Sequence, residues 1–343
     1  MRKQVSLYTC RIVCLVASLT CGCDSPGVGS TVPESDAITP VDQTLRYPYK
    51  IITTCGMVTD IVRTVVGKKG DVEGLIGETV DPHMYKPLRS DSRKLFNADV
   101  VFYSGLMLEG RMSDLFTQIG RKGKPVYAVT EKIDESYLRE PLEFQGHWDP
   151  HVWMDVMAWS QCVAFIATAL SEFDPINASV YKKNANAYQI KLKRLDGYAR
   201  QVISTIPAQQ RWLITAHDAF GYFSRAYNIQ VKSVQGITTE SEPGVADITD
   251  LVDFIVKKKI GAIFVESSVN PKNIRTILEG CRAKRWTVII GGRLFSDAMG
   301  KSGTYEGTYI GMIDHNATII TRALGGEAPQ KGLNDKLSED FSE

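Results

Sequence analysis

No proline interrupts the chain between Pro175 and Pro207, and the apolar residues of that stretch recur at helical steps. Tyr181, Tyr188, Leu192, Leu195, Ala199 and Val202 lie three, four or seven positions apart, which stacks them on one face of an α-helix. Lys and Asn fill much of the opposite side. Asp174 ahead of Pro175 has the chemistry of an N-cap acid followed by proline at the first helical position. At 1.5 Å per residue, a helix over 174–206 spans roughly 45 Å. Such a rod is either one long surface helix or a rigid strut that joins two lobes. Glycine-rich strands, which would make a flexible hinge, are not seen here.

On both sides of this segment the chain alternates between short β-branched runs and amphipathic stretches. Strands are expected at 50–54, 99–103 and 125–129, separated by helices near 58–66, 88–97 and 112–120. The rhythm resumes with strands at 211–216, 230–234, 261–266 and 286–290 and helices near 248–258, 272–283 and 308–324. Two such blocks predict an α/β protein of two lobes, with mainly parallel sheets flanked by helices. The N-terminal lobe is set at 48–173, the linking helix at 174–206 and the C-terminal lobe at 207–324. A length of 343 residues suits two domains of ordinary size. A formal charge of +1 lacks the basic excess of a nucleic-acid surface. No apolar run is expected to reach the roughly 18 residues of a membrane-spanning helix.

The ends differ from the body. Arg2, Lys3 and Arg11 precede a short apolar stretch over 12–19, and Thr20-Cys21-Gly22-Cys23 follows. That is the layout of an export signal over 1–23. A cysteine at the boundary points to a lipoprotein acylated at Cys23, with plain secretion or an uncleaved anchor as the alternatives. Leu19 stands four residues before Cys23, one further than in the usual lipobox. Residues 24–47 are rich in Gly, Pro, Ser, Thr and acids and read as a flexible tether. By the same composition, 325–343 reads as a disordered tail. Cys55, Cys162 and Cys281 cannot all pair, so they are expected to be buried small hydrophobes.

Chemistry concentrates in the histidines. Asp-Pro-His occurs twice, as Asp81-Pro82-His83 and Asp149-Pro150-His151, each running on into an apolar and then an aromatic residue. Proline fixes its own φ and pushes its predecessor toward extended geometry, so each histidine leaves a stiff turn. His217 follows an apolar run in Thr215-Ala216-His217-Asp218, and a lone acid, Asp297, sits in Phe295-Ser296-Asp297-Ala298. Three of the five histidines thus stand at strand-to-helix turns. These residues are too far apart for a zinc finger or for the helical His-Glu-x-x-His of metalloproteases. Loops at the C-terminal ends of strands are where α/β sheets bind ligands. Two ligands from each lobe would place a metal in the cleft between lobes. Three imidazoles and one carboxylate suit tetrahedral Zn²⁺, whereas Mn²⁺ prefers more oxygen. Glu266 competes with Asp297 for the acidic ligand and is otherwise a group behind the ligands. His147 and His315 are left as ordinary polar residues.

Further motifs are Ser104-Gly105-Leu106-Met107-Leu108-Glu109, Phe264-Val265-Glu266-Ser267-Ser268 and Gly307-Thr308-Tyr309-Ile310-Gly311-Met312. With the histidine turns, and in this order, they make the chain resemble the metal-binding lipoproteins of ABC importers for zinc and manganese, above all the treponemal TroA branch. The resemblance implies two α/β lobes bridged by a rigid helix. It carries the four ligand positions onto His83, His151, His217 and Asp297. It implies a periplasmic or otherwise extracytoplasmic substrate-binding protein, monomeric and lipid-anchored, that hands its metal to an ABC permease. Manganese-selective relatives commonly have Glu at the third ligand; His217 leans toward zinc. The long histidine-rich loop of many zinc relatives is missing from 131–146. Two other classes compete. A zinc hydrolase would need an open coordination position and a base, Glu266 or Asp218. A metal-binding surface adhesin would need an adhesive patch, for which no motif stands out.

Overall fold

The computed structural model describes residues 45–338. The expected export signal, Cys23, nearly all of the tether and the last residues of the tail lie outside the described residues.

The first lobe is built on four parallel strands: β1 (Tyr49–Thr53), β2 (Gly70–Gly74), β3 (Val100–Tyr103) and β4 (Val126–Ala128), in the order β2-β1-β3-β4. The central strand β1 buries every residue but Lys50, as a strand covered on both faces must. Helices α1 (Gly56–Val66), α2 (Arg89–Asn97) and α3 (Ser113–Arg121) make the crossovers. Strand β2 was not expected from the sequence. Its segment, Gly-Asp-Val-Glu-Gly, is polar and mostly exposed, and it forms through backbone pairing with β1 at the sheet edge.

Two helices follow. α4 (Val156–Phe173) is apolar around most of its girth, and Asp155 caps it through the amides of Met157 and Ala158. By length and composition it could cross a membrane, which corrects the expectation that no apolar run is that long; 56% of it is buried inside the fold, the position of a core helix. α5 (Ala178–Ser204) is the long helix, continuous through Gly197, and all six residues of its expected apolar face are buried. It starts later than expected, after a 3-10 turn over Pro175–Asn177. The Asp174 carboxylate caps no backbone amide there. It takes hydrogen bonds from the hydroxyls of Tyr47 and Tyr181 and from the side-chain Nδ2 of Asn177 instead. α5 packs on α4, on α1 and on α9 (Tyr309–Ala323) of the second lobe, so one hydrophobic core runs through both lobes along it.

The second lobe contains β5 (Trp212–His217) paired with β6 (Gln230–Gln235), and β7 (Ala262–Glu266) paired with β8 (Ile289–Leu294), all parallel. β5 and β7 lie side by side. Helices α6 (Gly221–Tyr227), α7 (Val245–Lys258), α8 (Lys272–Ala283) and α9 (Tyr309–Ala323) flank them. β8 starts and ends later than the expected 286–290 because it runs through Gly291 and Gly292. A Cβ on Gly292 would meet Ile319 at 2.5 Å, so only glycine lets the strand lie this close to α9.

Residues 325–338, expected as disordered tail, are folded onto the second lobe. Leu337 is buried, the Leu333 amide donates to the Asp314 carboxylate, and the Ser338 amide donates to Glu306.

Candidate metal centre

Each histidine is delivered by the local chemistry of its turn. In both Asp-Pro-His turns the aspartate accepts the histidine's own backbone amide: His83 N to Asp81 Oδ1 at 2.8 Å, His151 N to Asp149 Oδ1 at 3.0 Å. An Asx turn closed over a proline leaves little freedom to the residue it presents. His217 is the last residue of β5, and its amide and that of Ala216 both donate to Glu266 Oε1, at the end of β7. Asp297 lies three residues beyond β8. Its loop is held by Asn316, whose side chain bonds both the amide and the carbonyl of Phe295.

The four side chains converge. His83, His151, His217 and Asp297 each bring one ligating atom within 4.8 Å of all the others, and all four residues are buried. Nε2 of His83 and of His151 are 3.2 Å apart. Nε2 of His217 lies 3.0 Å from Asp297 Oδ2, and that of His151 lies 3.3 Å from Oδ1. Both oxygens of Asp297 and both ring nitrogens of His217 are nevertheless buried without an aligned hydrogen bond. Buried polar atoms rarely go unpartnered. Here the Asp297 oxygens and His217 Nε2 lie together among the converging side chains, which is the arrangement a cation would satisfy.

Behind the converging side chains sit two carboxylates. Asp149 Oδ1 lies 2.8 Å from His151 Nδ1, and Glu266 Oε2 lies 2.5 Å from His217 Nδ1. This assignment of Nδ1 leaves Nε2 of each ring for the metal side. Glu266 therefore stands behind His217 rather than among the converging atoms. Asp218, Cys55, His147 and His315 also lie outside the group. His147 is exposed, and His315 turns Nε2 to the Arg293 carbonyl. The three cysteines are free and buried, as expected.

The electrostatics are those of a cluster made for a positive charge. Burial pushes the His83 imidazolium down to about 3, despite Asp297. For His151, burial is outweighed by Asp297 and Asp149, which hold it up at about 9. His217 is held well above its ordinary value because Asp297 and Glu266 outweigh its burial. Asp297, though buried, is held well below the usual carboxylate range by His217 and His151.

A cavity of about 320 Å³ opens onto His83, lined in part by Met107, Arg111, Phe144, His147 and Glu240. Its wall includes Met107 and Leu108 of the Ser104–Glu109 motif noticed in the sequence. Glu109 is buried and binds the amides of Ser104 and Gly105 and the Thr54 hydroxyl, while Leu106 and Met107 both take positive φ. The contacts that bind the site together were not legible in the sequence. Trp153 Nε1 donates to the Ser296 carbonyl, and Thr239 donates to Asp81. The aromatic after each Asp-Pro-His was the only available hint.

Comparison with known proteins places the chain in context. The family described as "zinc-uptake complex component A periplasmic" matches residues 51–323. The manganese-binding lipoprotein MntA of Bacillus subtilis is 42% identical over 304 residues, covering 89% of this chain and 94% of that protein. The zinc-binding protein TroA of Treponema pallidum is 43% identical over 274 residues, covering 80% and 88%. The solved structure of the periplasmic zinc-binding protein TroA from Treponema pallidum superimposes with a TM-score of 0.78 at 42% identity, over 80% of this chain and 99% of that one.

Proposed function

This chain belongs to the zinc-uptake component A family of periplasmic metal-binding proteins, and from that premise we propose that it captures a divalent transition metal outside the cytoplasm and delivers it to an ABC permease. The metal is its cargo. The observation that carries this reading is the convergence of buried His83, His151, His217 and Asp297 on one another, with the Asp297 oxygens and His217 Nε2 lacking aligned hydrogen bonds there.

Four protein ligands complete a tetrahedral shell and leave no position for an activated water, which favours carriage over hydrolysis. Glu266, the base a hydrolase would need, is already engaged by two backbone amides and by His217. Three imidazoles favour Zn²⁺, with Mn²⁺ the second candidate. Lipidation at Cys23 would tether the body to the membrane while the monomer exchanges metal with the permease. Mass spectrometry of the mature N-terminus tests that point, and an unmodified end elsewhere would mean ordinary secretion.

The deciding experiment is elemental analysis of protein purified without added metal, followed by calorimetry with zinc and with manganese. One metal per chain and tighter zinc binding are expected. A chain that retains and binds neither metal would overturn the reading.

A further inference from the structure

We infer that Arg139 is a positioning residue for His151, held in a slot that exists only because residue 221 is glycine. The inference rests on the metal-capture reading and goes beyond its four ligands.

The chain of contacts is continuous. His151 Nδ1 meets Asp149 Oδ1 at 2.8 Å, and the other oxygen of that fully buried carboxylate meets Arg139 Nη1 at 2.7 Å. The two residues are joined through their backbones as well, since the Asp149 amide donates to the Arg139 carbonyl at 2.8 Å. Tyr222 makes a second bridge. Its hydroxyl accepts from the Arg139 amide at 3.1 Å and donates to the Asp149 carbonyl at 2.8 Å.

The guanidinium enters the second lobe at the start of α6. A Cβ built on Gly221 would stand 1.3 Å from Arg139 Nη1 and 2.4 Å from its Cζ. No side chain at 221 is compatible with that position. What would have to move is the end of a long side chain and not backbone, so alanine there evicts the guanidinium and leaves the fold alone.

The physical role follows from what an imidazole ligand needs. A carboxylate on Nδ1 fixes the ring plane and the tautomer, so that the Nε2 lone pair faces the metal. A buried carboxylate with one oxygen on the ring and the other free would rotate or draw in water. The contact from Arg139 Nη1 removes that freedom. Because Arg139 leaves the first lobe and is received by α6 of the second, the orientation of His151 depends on the docking of the two.

Three variants test this: Arg139→Ala, Gly221→Ala and the double variant. Zinc affinity is measured by chelator competition, and the Nδ1–H proton of His151 is followed by NMR in the zinc-loaded state. Loss of a partner behind a metal ligand typically weakens binding 10–100-fold, so each single variant is expected to weaken zinc by about tenfold. The double variant should be no worse than either single, and the Nδ1–H signal should broaden or exchange rapidly in all three. Arg139→Lys should recover part of the loss. Wild-type affinity and a protected Nδ1–H in Gly221→Ala would overturn the inference, whatever Arg139→Ala shows. Failure of the capture reading itself is distinguishable, because the wild-type chain would then fail to bind zinc.

Discussion

The indole nitrogen of Trp153 lies 2.9 Å from the carbonyl oxygen of Ser296, so the residue two beyond His151 holds the residue just before Asp297. Both partners are buried. Two of the converging turns, from opposite halves of the chain, are thereby fixed to each other directly. Trp153→Phe keeps most of the packing and deletes the bond. Leaving the Ser296 carbonyl unpaired should cost about 1–3 kcal/mol. Denaturant unfolding of metal-free protein should show that loss, together with weaker metal binding; unchanged values for both would make the contact incidental.

Removing a ligand should act on the metal far more than on the fold. His217→Ala and Asp297→Ala should each weaken zinc by more than the roughly 10–100-fold typical of groups behind the ligands. Elemental analysis of the four single alanine variants checks this. Any variant that retains its full metal content removes that residue from the ligand set.

The pH dependence of stability and of binding should run in opposite directions. In the metal-free protein His151 is held at about 9, above the ordinary 6.5. Its ion pairing therefore stabilises fully below about 6.5 and is lost as pH rises toward about 9, and His217 acts in the same direction. His83, pushed down to about 3, has the opposite sign: its contribution is lost as pH falls from 6.5. Metal must displace the protons of His151 and His217, so affinity should rise through the window in which the metal-free protein weakens. Thermal unfolding from mildly acid to mildly alkaline pH should show the gap between loaded and metal-free protein widening. A gap that narrows with rising pH would contradict the charge states described.

Metal release should depend on contacts over the cleft. Thr239 donates to Asp81, which also holds the His83 amide, and Arg111 pairs with Glu240 at 3.0 Å close by. The Arg111–Glu240 pair is largely exposed, so by itself it is expected to contribute less than about 1 kcal/mol. Thr239→Val should speed zinc transfer to a chelator in stopped-flow experiments severalfold, while Glu240→Ala changes it little. Equal rates in both variants and the wild type would mean that this loop does not limit release.

Loading should leave the overall dimensions nearly unchanged. α5 is unbroken by proline and is packed against helices of both lobes, so bending it would break backbone hydrogen bonds and core contacts together. Small-angle scattering with and without zinc should give nearly the same radius of gyration. A marked compaction would mean that the lobes hinge despite the shared helix.

The four residues that converge and the long helix stood out in the sequence because their signals are local. Asp81 and Asp149 close turns onto amides two residues away, and proline stiffens those turns wherever the chain goes afterwards. The face of α5 follows from a 3.6-residue repeat that any helix must obey. Strand β2 was invisible because it owes its existence to pairing with β1 and not to apolar residues of its own. β8 was misplaced because Gly291 and Gly292 make sense only against Phe264, Ala323 and Ile319. Residues 325–338 look like a tail until Leu337 and Asp314 are seen to take them in. The slot at Gly221 and the Trp153–Ser296 bond join segments far apart in sequence, and no periodicity records them. Spacing and local turn chemistry can single out candidate groups; only the packing of distant segments decides where those groups point and what holds them there.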